Sequence, residues 1–241
     1  MFGRRKIAAL VAELLGTGVL TLLVLSVQRS TIGVPFFVAL AAGFAIMLMT
    51  FTVGSASGAH FNPAITIGMW TARKIDTITG ILYIALQFLG AWGAYYLYSY
   101  YVNSNLQSIG GHYSLKILVA ESVGTAIFGF GMAAAVYQRF SSALSATVSG
   151  LAYTLGIIAA SSVAIGLLNP ALALGVRAWV LGTYVLGPVI GAVVGINLYR
   201  LLFAEPQAGL VSSTGLAALT APFNGGKKPV ATKRKTTTKK K

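Results

Sequence analysis

Cysteine is absent from all 241 residues, so disulfide staples and thiol chemistry are excluded and the redox compartment leaves no mark. Charge is scarce too: Asp, Glu, Lys and Arg together supply 9% of the chain, and only four residues are acidic. A soluble domain averages about a quarter charged residues, so an ordinary water-facing surface is excluded. Two of the four acids, Glu13 and Glu121, stand inside long apolar runs. An ionisable group in such a run is costly and is usually paired or functional. No catalytic residue, metal or cofactor is expected.

What the chain has instead is apolar length. Hydrophobic residues make up 56% of it, and they gather in runs of about 20, the length that crosses a ~30 Å hydrocarbon core. Six such runs are predicted to span, at roughly 7–28, 34–54, 79–101, 115–137, 143–165 and 179–203. The first follows Arg4-Arg5-Lys6 like the apolar core of a signal peptide. It contains Glu13 and shows no small-residue cleavage site, so it reads as a retained span. The net charge of +14 is local: eight of the 18 basic residues fall in the last 15 positions. The expected organisation is a basic N-terminus over 1–6, a membrane domain over 7–203 and a disordered basic tail over 204–241.

Two shorter segments, about 62–73 and 169–178, open on the same triplet: Asn62-Pro63-Ala64 and Asn169-Pro170-Ala171, 107 positions apart. Asn is a preferred helix N-cap, and Pro suits the first helical position because its missing N–H has no partner there. Each triplet therefore starts a short helix. The halves repeat elsewhere: Ala12-Glu13-Leu14-Leu15-Gly16-Thr17 matches Ala120-Glu121-Ser122-Val123-Gly124-Thr125, offset by 108. Each half holds three spans, an odd number, so the second copy enters the membrane inverted. The two short helices then dip in from opposite faces and meet. Gly187, Gly191 and Gly195 form a small-residue ladder in the last span, suited to close helix contact.

Two helix N-termini facing one point place two positive dipole ends there. A neutral oxygen is welcome at such a point and a cation is not. A central water forced to accept from both sides also breaks the aligned file that proton hopping needs.

In these residues the chain resembles the major intrinsic protein family, the aquaporins and glycerol facilitators. The resemblance rests on Glu13 with Gly16-Thr17, Ser57-Gly58-Ala59-His60-Phe61-Asn62-Pro63-Ala64, Gln87 with Gly90-Ala91, Glu121 with Gly124-Thr125, Asn169-Pro170-Ala171, and Gly187-Pro188 with Gly191-Ala192. It covers about residues 7–203 and implies an all-α membrane protein of six transmembrane helices plus two re-entrant half-helices. It also implies one pore per subunit and a homotetramer. Matching the family's outer filter puts Ala42, Ile157, Gly166 and Leu172 at its four positions. Most members carry an arginine where Leu172 stands, and Ala173 replaces the aspartate of glycerol facilitators. The implied filter is wide, apolar and without fixed charge.

The expected function is a passive channel for water or small uncharged solutes of the glycerol, urea and ammonia class, and not an enzyme. Asn62, Pro63, Ala64, Asn169, Pro170 and Ala171 form the pore centre. Glu13 and Glu121 support the re-entrant loops or relay protons; His60 packs against its loop or acts as a pH gate. The tail, Lys227–Lys241, is a solvated topogenic segment or an anionic-lipid contact; no aromatic is interleaved with its charges, which argues against nucleic acid. With the termini inside, six basic residues before the tail (Arg4, Arg5, Lys6, Arg73, Lys74, Arg139) face the cytoplasm and three (Arg29, Lys116, Arg177) face out. The plasma membrane is the expected location. Three rivals share these features: a secondary transporter, a closed structural membrane protein of the same fold, and an ion-leaky pore.

Overall fold

In hydrocarbon a backbone N–H has no water to bond, so an apolar run closes its hydrogen bonds within itself as a helix. The computed structural model describes residues 3–204. In chain order it contains α1 (Arg4–Gln28), α2 (Pro35–Ser57), the short α3 (Pro63–Thr71), α4 (Thr77–Tyr101), α5 (Leu115–Tyr137), α6 (Ser142–Ala160), the short α7 (Pro170–Gly175), a π-helical turn (Leu181–Val185) and α8 (Leu186–Leu202). Six helices are long and apolar enough to cross a membrane, the π-helical turn and α8 together counting as one. No strand occurs among the described residues. The tail expected to be disordered from 204, with the Lys227–Lys241 lipid contact, lies outside the described residues beyond Ala204.

The spans agree with the apolar runs except near the second triplet. The fifth run was expected to stay helical to Ile165, but α6 ends at Ala160. The chain there turns to deliver the N–H groups of Gly166, Leu167 and Leu168 to Glu121. The second short helix stops at Gly175, not Ala178. The last span does not begin as a helix at Trp179: Val180 is extended, and the π-helical turn precedes α8. Pro188 sits in the first turn of α8, where its missing N–H leaves no gap in the ladder.

Packing follows the repeat. Helix α1 lies against α2 and α4, as α5 lies against α6 and α8, and α2 with α6 joins the halves. Apolar side chains give no drive to associate in lipid, so close backbone approach must supply it. Gly43 and Gly150 show how close: a Cβ on Gly43 would lie 2.7 Å from the Gly150 carbonyl, and one on Gly150 2.6 Å from the Gly43 carbonyl. The glycine ladder of the last span works the same way, with Gly187, Gly191 and Gly195 facing the carbonyls of Leu118, Ser122 and Ala126 on α5. Large apolar side chains such as Phe44, Phe51, Ile81 and Leu201 stay exposed, which suits a lipid-facing surface. The short helices cross over: α3 packs on α8 of the other repeat, and α7 packs on α4.

Candidate functional site

The two triplets cap their helices alike. Asn62 Oδ1 accepts from the Ala64 N–H at 2.8 Å. Asn169 Oδ1 accepts from Ala171 at 3.0 Å and Leu172 at 3.3 Å. Pro63 and Pro170 hold the first helical positions, and both asparagines are fully buried.

Their amide nitrogens do something further. Asn62 Nδ2 donates to the Leu168 carbonyl at 2.8 Å, and Asn169 Nδ2 donates to the Phe61 carbonyl at 2.9 Å. Each asparagine thus holds the residue just before the other. Phe61 and Leu168 both sit in the left-handed region, at φ 47° and 55°. That conformation is uncommon without glycine and is found where surroundings over-determine the backbone. Here it turns both carbonyls toward the opposite loop. The result is a reciprocal clasp that brings the two helix starts nose to nose. One N–H of each Nδ2 group is committed to the clasp; Asn62 keeps its second for a guest, while the side chain of Asn169 also bonds the Tyr153 hydroxyl.

The buried glutamates stand behind the loops. Glu13 accepts from the N–H of His60 at 3.0 Å, the N–H of Phe61 at 2.6 Å and Gln87 Nε2 at 2.7 Å. Glu121 accepts three backbone N–H groups, from Gly166 and Leu167 at 3.0 Å and Leu168 at 2.7 Å. Both carboxylates are therefore fully engaged, Glu121 by loop donors alone and Glu13 by the loop and Gln87 of α4. His60 Nδ1 lies 3.1 Å from Thr66 Oγ1, and its ring meets Tyr83 edge-on at 5.5 Å.

The four positions expected to form the outer filter are apolar and buried. Ala42, Ile157 and Leu172 are each at most 1% exposed and belong to one apolar cluster. Gly166, at φ 74°, lies against Ile157, whose Cγ2 is 3.0 Å from where a Cβ would stand. That contact and the positive φ together call for glycine at this place.

Two helix starts under one triplet, clasped across an inverted repeat, are matched by a family model. Major intrinsic protein covers residues 4–199. The chain belongs to the major intrinsic protein family. Aquaporin Z of Photorhabdus laumondii is 34% identical over 232 residues, which span 84% of this chain and 99% of that protein. Aquaporin AqpM of Methanothermobacter thermautotrophicus is 32% identical over 194 residues, 70% of this chain and 77% of that one. The solved aquaglyceroporin of Plasmodium falciparum shares the fold at a TM-score of 0.67 and 22% identity, over 82% of this chain and 96% of that structure. As a major intrinsic protein the chain is an integral multi-pass membrane channel and not an enzyme.

Three contributors to the site lacked a readable signal. Phe61 and Leu168 act through their carbonyls, and side-chain type says nothing about that. Tyr153 donates its hydroxyl to the Leu167 carbonyl at 2.7 Å from within an apolar run that looks like any other span.

Proposed function

We propose that the chain passes water and small uncharged solutes of the glycerol, urea and ammonia class, passively and in both directions. The reciprocal clasp carries this reading. It faces two helix N-termini and the free amide N–H of Asn62 toward one neutral guest, and it repels a cation there. Ala42, Ile157, Gly166 and Leu172 then form the outer filter, apolar and without a fixed charge, so selection falls on size and on the cost of shedding water. Glu13, Glu121 and His60 hold the loops. The termini lie in the cytoplasm by the charge bias, the assembly is a homotetramer, and the membrane is the plasma membrane.

One observation favours a second reading, a closed pore of the same fold: Ala42, Ile157 and Leu172 are almost wholly covered. Stopped-flow light scattering on proteoliposomes separates the two. The channel reading expects rates above empty vesicles for water and at least one of glycerol, urea and ammonia; intact protein with no gain for any of them establishes the closed reading. Leu172→Arg should narrow the solutes that pass, and an unchanged order of permeabilities would place the filter elsewhere.

A further inference from the structure

A hydroxyl in an apolar helix usually returns to the carbonyl four residues back. Thr17, Thr52, Ser122, Thr125 and Thr154 do so at 2.7–3.0 Å. Thr50 does not. It is 9% exposed, and its Oγ1 has no partner. Thr21 shares the missing partner but packs its methyl on Gly175 of α7. Thr50 instead lines a cavity of about 220 Å³ between the C-terminal half of α2, the end of α5 and the start of α6. Exposed Ser55 and Ser142 stand where α2 ends and α6 begins. Thr50 lies about one and a half turns further in and buried Ser149 about two, on the same two helices. Ala59, three residues before Asn62, lines the cavity too, so it leads toward the clasp.

Ser149 is nearly as available. Its hydroxyl donates at 3.1 Å to the thioether of Met132, a weak acceptor, and its lone pairs are free. Beside the inner end of the cavity stand one uncommitted hydroxyl, whose oxygen is itself covered and meets the cavity on turning about χ1, and one loosely held one, set among apolar neighbours such as Met132 and Ala135. An unpaired buried hydroxyl is costly unless a guest or water completes it. The volume has room for several waters or one small polyol.

We infer that Thr50 and Ser149 form a binding step for hydroxylated neutral solutes on the side of the clasp that carries the α2–α3 and α5–α6 turns. The inference rests on the channel reading above. Once the Thr50 hydroxyl turns toward the cavity, a polyol can engage it and Ser149 while its carbons rest on the apolar wall. A water molecule trades partners with the waters beside it and depends less on either.

The test is the ratio of glycerol to water permeability in proteoliposomes, which cancels differences in the amount of protein inserted. Thr50→Val should lower that ratio about 3- to 10-fold, the scale of one lost neutral hydrogen bond. Thr50→Ser should keep the wild-type ratio, Ser149→Ala should lower it less, and Thr52→Val, tied to Leu48 on the exposed face, should leave it alone. Should Thr50→Val fail to insert, Ser149→Ala decides by the same ratio. A wild-type ratio in the deciding variant, or a wild-type protein that passes water and refuses glycerol, overturns the binding step and leaves the channel standing. A wild-type protein that passes neither overturns both.

Discussion

The two re-entrant loops do one job with different parts. Loop one gives Glu13 two backbone donors, and Gln87 on α4 adds a side-chain amide. Loop two gives Glu121 three backbone donors. Where the first half has Gln87 ahead of Gly90-Ala91, the second has Pro188 ahead of Gly191-Ala192, which has nothing to donate. Gly166, at the place of Ala59, supplies the missing N–H, while the Ala59 N–H goes to Ser57 Oγ at 3.1 Å. The first half adds a polar chain of His60, Thr66 and Gln87; at the matching places the second has Leu167 and Ala173. A fold can thus hold one geometry fixed while trading side-chain donors for backbone ones. What must be conserved between the halves is the count of satisfied groups.

That comparison can be broken experimentally. The largest effect is expected from Glu121→Leu, which strands three buried backbone N–H groups at about 1–3 kcal/mol apiece. It should prevent recovery of folded protein from detergent, whereas Glu13→Leu strands two and should leave a detectable, less stable fraction. Size-exclusion profiles and thermal melts compare them, and equal losses would show that the third donor's origin is immaterial. Next come Gly90→Ala and Gly191→Ala, which drive a methyl into the carbonyls of Leu14 and Ser122. Overpacking of this kind costs about 1–3 kcal/mol, so both melts should fall by similar amounts. A loss confined to one would show that the halves tolerate separation differently. The smallest effect is expected from Gln87→Leu, which removes one donor that Glu13 and Thr66 share, at about 1 kcal/mol. Its melt should shift by only a few degrees, with water permeability retained.

Much of this was legible in the sequence because membrane helices obey length and because the repeat announces itself. The triplets identified their own N-caps, and the paired glutamates pointed to the loops. Three things escaped. The end of α6 was overrun because Ser161 to Ile165 is as apolar as the helix before it, while the chain there leaves the helix for the left-handed Gly166 and gives Glu121 its donors. The clasp escaped because it depends on the left-handed backbone of Phe61 and Leu168, residues with no intrinsic taste for it. The near-complete burial of Ala42, Ile157 and Leu172 escaped because residue type gives polarity, while burial depends on how far apart the helices stand.

The clasp also sets a clock. Asn62 and Leu168 are 106 residues apart, and Phe61 and Asn169 are 108 apart. At ribosomal speeds of about 5–20 residues per second, the first half waits roughly 5–20 s for its partner. Throughout that interval the Asn62 amide and the Phe61 carbonyl must be held by water or by the insertion machinery. The centre of the channel therefore closes only after the second triplet is made, and a nascent chain halted between α4 and α7 carries an open polar wound in its membrane domain.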